Sequence, residues 1–95
     1  MTQPRNSADE PREPINARSE HYGELQRFVD GLFGQARSVR RVDVLVRAEG
    51  DDLDDDLLEI VRLLPPGTYT RAQLTTQINS TLAAHGWGRA YGIVS

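Results

Sequence analysis

The sequence predicts a small α+β fold behind an unstructured N-terminal tail. Three observations carry this expectation. Three segments repeat apolar residues at spacings of three and four, one valine-rich segment alternates with period two, and residues 1–17 combine Pro4, Pro11 and Pro14 with charges and a single large aliphatic, Ile15. Residues 1–17 are therefore expected to be disordered. Residues 18–95 are expected to fold as one small domain with the order helix, strand, helix, helix, strand.

From Ser19 to Phe33, Tyr22, Leu25, Val29 and Leu32 define one helical face, which Phe28 and Phe33 widen. Ser19 is the expected N-cap, Glu20 sits at the positive end of the dipole, and Gly31 and Gly34 weaken the last turn. Between Val39 and Glu49, Val42, Val44, Val46 and Ala48 alternate with Asp43, Leu45 and Arg47, so this segment is expected to be a strand. Leu45 implies that its polar face is partly covered as well. Leu53, Leu57, Ile60, Val61 and Leu64 then follow a helical face, which Pro65, Pro66 and Gly67 terminate. Thr70 stands three residues before Gln73 in a capping-box pattern, with Tyr69 and Leu74 at the positions of a hydrophobic staple. Leu74, Ile78 and Leu82 give the next helix, Arg71 to His85, its buried stripe, and Gly86 is its natural C-cap. A last strand is expected from Ala90 to Val94.

In the order of its elements, though in no motif, this arrangement resembles a winged helix-turn-helix. It departs from that architecture in the six residues between Leu64 and Arg71 and in having no second wing strand after Val94.

Composition excludes several classes of function. The 95 residues contain no cysteine, so disulfides, Cys-based zinc sites and thiol redox chemistry are ruled out, and a reducing cytoplasm is the expected compartment. No stretch approaches the roughly 20 apolar residues of a membrane span. The two histidines, His21 and His85, accompany no nucleophile elbow, phosphate loop or His-Glu metal helix, so neither an enzyme nor a cofactor is expected.

Charge is segregated along the chain. The net charge of -3 combines -6 over residues 51–59 with +3 over residues 60–95, a stretch without acids. Asp51, Asp52, Asp54, Asp55, Asp56 and Glu59 are expected to cap a helix; an acidic docking surface and a hard-cation site are the other uses of such a cluster.

Two functional expectations follow. The first is a small non-enzymatic binding module that contacts a protein partner or a second copy of itself. It would use the Val44 and Val46 strand edge or the cluster of Trp87, Arg89 and Tyr91. The alternative is a nucleic-acid-binding regulator that reads bases with the Arg71–His85 helix. There Arg40, Arg41, Arg71 and Arg89 would anchor phosphates, and Gln73 and Gln77 would face the bases.

Overall fold

Two short strands, each running straight into a helix, organise the chain. The computed structural model describes residues 19–95, and the expected tail, residues 1–17, lies outside them. The described residues form a small compact α+β domain: α1 (Glu24–Leu32), β1 (Ser38–Arg40), α2 (Arg41–Gly50), α3 (Asp55–Arg62), β2 (Thr68–Thr70), α4 (Arg71–His85) and α5 (Gly88–Tyr91).

β1 and β2 form an antiparallel ribbon with Val39 opposite Tyr69, flanked by Ser38 opposite Thr70 and Arg40 opposite Thr68. The Arg41 N–H donates to the Gly67 carbonyl at 3.0 Å. In this register the Val39–Tyr69 pair therefore exchanges the ladder bonds, and the flanking residues turn their main-chain groups outward. The side chains of Val39 and Tyr69 are buried, and those of Ser38, Arg40, Thr68 and Thr70 are exposed.

The segment expected to be a strand, Val39 to Glu49, is mostly helix. Its residues satisfy both periods, and long-range packing selects the helical one. Asp43 accepts the Arg40 N–H at 3.1 Å and closes the first turn. Val44, Leu45 and Ala48 then share the inward face, while Val42 and Val46, one turn apart, point outward. Leu45 was the residue that period two could not place. The helix ends in a Schellman-like turn with Asp52 in the left-handed region at φ 56° and the Leu53 N–H returning to the Ala48 carbonyl.

The other helices follow their patterns with two adjustments. α1 begins at Glu24 rather than near Ser19, because Gly23, at φ 85°, separates it from a preceding turn. Ser19 caps that turn instead, its Oγ accepting the His21 N–H. The turn is also tied to the end of the chain, with the Ser19 N–H donating to the Ala90 carbonyl and the Gly23 N–H to the Tyr91 carbonyl. In α3, Asp54 is the N-cap and accepts the Asp56 N–H, while Leu53, Leu57, Ile60, Val61 and Leu64 are all buried. α4 opens with the expected capping box, the flanking Tyr69 and Leu74 are both buried, and Gly86 closes it at φ 70°. Leu74, Ile78 and Leu82 are fully buried and meet Leu25, Val29, Leu57 and Ile60 in one core.

The strand expected from Ala90 to Val94 is absent. α5 occupies its first half, and beyond Gly92 the main chain pairs with side chains of α1 and α4 instead of with a strand. The second strand of the fold instead precedes α4, so α3 and α4 are not joined by a plain turn and the winged-helix likeness is not upheld.

The helical assignment of α2 makes a sharp prediction. On a strand Val44 and Val46 would share a face, so aspartate at either position would have a similar effect. On the helix Val44→Asp should cost more than about 3 kcal/mol by burying a carboxylate, and Val46→Asp should stay within about 0.5 kcal/mol. Denaturant unfolding monitored by circular dichroism checks both values.

Candidate functional site

The residues expected to carry function are distributed over several surfaces. Val44 is fully buried, so it supports the core and presents nothing to a partner. The strand edge it was assigned to does not exist. The ribbon that does exist has little edge to offer, because Asp43 takes the outward N–H of Arg40 and Gln73 takes that of Thr70. One residue on each side, Ser38 or Thr68, keeps outward main-chain groups, which is too short a template for strand addition.

Trp87, Arg89 and Tyr91 lie on or beside α5. Tyr91 is buried, and its hydroxyl donates to the Asp56 carboxylate. Burial and that neighbouring carboxylate push the phenol up to about 12, so it remains a donor throughout the neutral range. Trp87 is half-buried, with ring centroids 4.5 Å from His85 and 5.8 Å from Tyr91. This aromatic group fastens α5 to α3 and α4, and only Arg89 of the three is exposed.

The arginines are spread over several elements. Because the strands are antiparallel, α2 and α4 leave from opposite ends of the ribbon, so Arg40 and Arg41 stand three and four register positions from Arg71, roughly 10 to 14 Å along the strand direction. Each is engaged within the protein. Arg40 pairs with Asp43. Arg41 donates from Nε to the Leu64 carbonyl at 2.6 Å and from a terminal nitrogen to the Arg62 carbonyl at 2.9 Å. Arg71 pairs with Asp30 and donates to the Ser95 carbonyl. On α4, Gln73 is spent on its own cap, and Gln77 lies on an exposed face with Ala72, Thr76, Ser80, Ala83 and Ala84 that carries no charge.

The acidic run is shared out among neighbours. Asp51 pairs with Arg47, Asp54 caps α3, Asp56 accepts from Tyr91 and Glu59 lies 3.2 Å from His85 Nε2. Among the described residues no three or more His, Asp or Glu side chains converge on a point where a metal ion could sit.

Sequence reasoning missed two sets of residues. The first is Val42 and Leu63, apolar and exposed at 52% and 53%, as is Val46 at 65%, which the sequence singles out only as part of a strand edge. Arg41 crosses from α2 to the carbonyls of Arg62 and Leu64, the residues on either side of Leu63, and so ties the start of α2 to the end of α3. Glu49 and Arg62 approach to 3.9 Å across the border of these two helices. Once α2 is known to be a helix, the i, i+4 spacing of Val42 and Val46 is the signal. The second set is Gln26 and Asn79, whose amides pair with the main chain of Ser95 and Val94; nothing local in the sequence marks them.

Comparison with protein-family models, curated proteins and solved structures finds no match for this chain. Among the described residues no helix is long and apolar enough to cross a membrane.

Both histidines contact acceptors through both ring nitrogens. His21 Nδ1 lies 2.7 Å from Glu24, and Nε2 lies 3.3 Å from Asp54 and 3.7 Å from Glu20. His85 Nδ1 lies 3.0 Å from the Thr81 carbonyl, with Glu59 at its other nitrogen. A neutral imidazole donates once and an imidazolium twice, so only the charged ring satisfies both sides. The Glu24 hydrogen bond raises the His21 pKa above its ordinary 6.5, and the Thr81 carbonyl followed by Glu59 raises that of His85. A raised folded-state pKa contributes stability that is complete below about 6.5 and is lost as pH rises through the folded value. The melting temperature should therefore fall from pH 6 to pH 8, and the His21→Gln/His85→Gln double variant should flatten that slope. Asp30 and Asp43, held low by Arg71 and Arg40, act at the other end: their contribution is lost as pH falls below about 3.8. Thermal melts across pH 3 to 8 check both limbs.

Proposed function

We propose that this protein is a small non-enzymatic binding module that works through protein–protein contact in the cytoplasm, and that its contact surface is the border of α2 and α3. The observation that carries this reading is the exposure of Val42 and Val46 one turn apart on α2, with Leu63 exposed at the end of α3 and a shallow groove lined by Arg40, Arg41, Val42, Pro66, Gly67 and Thr68. Such aliphatics give nothing to the core of this chain, yet neighbouring side chains of the same helix are fully buried. Apolar residues rimmed by the charges of Arg40, Asp43, Glu49 and Arg62 match the usual anatomy of an interface, with an apolar centre and a polar rim. The lack of cysteine suits a reducing compartment.

The internal engagement of Arg40, Arg41 and Arg71 and the uncharged outer face of α4 favour this reading over nucleic-acid binding. Each phosphate contacted should contribute about -0.9 to the salt dependence of affinity, and a basic patch is what supplies such contacts.

The test compares wild-type protein with the Val42→Glu/Val46→Glu double variant in light scattering and in cross-linking with mapped sites. The wild type should associate, with itself or with one partner, through cross-links at the α2–α3 border. The double variant should lose that association at least about tenfold, with its melting temperature unchanged because both positions are exposed. Association that survives the double substitution, or salt-sensitive binding to duplex DNA in its place, overturns the reading.

A further inference from the structure

Residues 93–95 occupy a cleft in a way that identifies what the cleft can hold. Beyond Tyr91 the chain turns at Gly92, φ 85° and ψ 135°, and lays residues 93–95 between α1 and α4. Asn79 of α4 donates from Nδ2 to the Val94 carbonyl and accepts the Val94 N–H at Oδ1, both at 2.8 Å. Gln26 of α1 does the same to Ser95, with both bonds at 3.0 Å. Arg71 adds two bonds to the Ser95 carbonyl at 3.1 and 2.9 Å, and Asp30 holds both Arg71 and the Gln26 amide in place.

Each bond from Asn79, Gln26 and Arg71 to the segment ends on one of its main-chain atoms. An amide that donates to the C=O and accepts from the N–H of one residue reproduces the pairing a neighbouring strand would offer, whatever the side chain. Selection comes from one position: Val94 is 4% exposed and joins the core cluster, whereas Ile93 is 71% exposed. The cleft therefore reads an extended backbone and one aliphatic side chain. Nothing in its contacts depends on the segment belonging to the same chain.

We propose that the cleft between α1 and α4 is a docking groove for an extended peptide segment of a partner protein that presents a valine-like residue to the Val94 pocket, with residues 93–95 as its resting occupant. Gly92 is the hinge at which residues 93–95 can leave, while the bonds from Ser19 and Gly23 to the carbonyls of Ala90 and Tyr91 stay in place. The groove is distinct from the α2–α3 border, and the two proposals fail independently.

The probe is a labelled peptide of sequence Tyr-Gly-Ile-Val-Ser, followed by fluorescence anisotropy on the full chain. In the wild type the tethered segment competes at an effective concentration on the order of millimolar, so binding should be weak. Val94→Asp in the full chain should release the segment and tighten peptide binding about tenfold or more. Adding Asn79→Ala should abolish that gain, and a probe with Asp in place of its Val should not bind. A folded Val94→Asp protein that leaves the probe unbound, or binds it equally with and without Asn79, overturns the proposal. Should Val94→Asp not fold, Val94→Ala followed by the Asn79 side-chain amide resonances decides it: a shift on titration supports the groove, and unchanged resonances overturn it.

Discussion

The pairing of Val39 with Tyr69 is the constraint on which the remaining structure depends. It sets the register of a ribbon only three residues long, and each strand passes without a linker into a helix. Antiparallel pairing then sends α2 and α4 away from opposite ends, and the buried side chains of the two paired residues seal the core beneath. An isolated ribbon of this length is not stable in water, so its persistence depends on the helices it launches. The two capping residues, Asp43 and Gln73, link these levels. Each accepts the outward N–H at the end of a strand while closing the first turn of the following helix. One side chain thus satisfies a strand edge and a helix start together.

The acidic run has a second structural consequence beyond capping α3. Its carboxylates receive the turn before α1 through His21, the end of α4 through His85 and the hydroxyl of Tyr91 from α5. Segments at both ends of the described chain are thereby attached to one helix, and two of the three attachments run through an imidazole ring. The concentrated negative charge that stands out in the sequence is largely used within the protein, as are Arg40, Arg41 and Arg71. Much of the segregated charge is therefore consumed internally, while Val42, Val46 and Leu63 stay exposed on α2 and at the end of α3.

What could be read from the sequence was what short-range chemistry determines. Thr70 and Gln73, Tyr69 and Leu74, and the stripe from Leu53 to Leu64 are separated by a few residues, and their geometry follows from helix periodicity alone. The valines of α2 were ambiguous because Val42, Val44 and Val46 fit a strand face while Val44, Leu45 and Ala48 fit a helix face; the decision rests with a core formed by residues far along the chain. The C-terminal segment was not legible, since Asn79 and Gln26 lie 15 and 69 residues from the groups they hold. The candidate surfaces shared that fate: Val46 was named on the premise of a strand edge, and Val42 and Leu63 acquire significance only once Arg41 is seen to join their elements.

Because both helices begin at the ribbon, its central amides should open only when the whole domain unfolds. Native-state hydrogen exchange measures this directly. The Val39 and Tyr69 amides should show protection equal to the global unfolding free energy obtained from denaturant titration, alongside Ile78 in the middle of α4. Exchange of Val39 and Tyr69 through local opening, while Ile78 stays protected at the global value, would contradict the central place given to the ribbon.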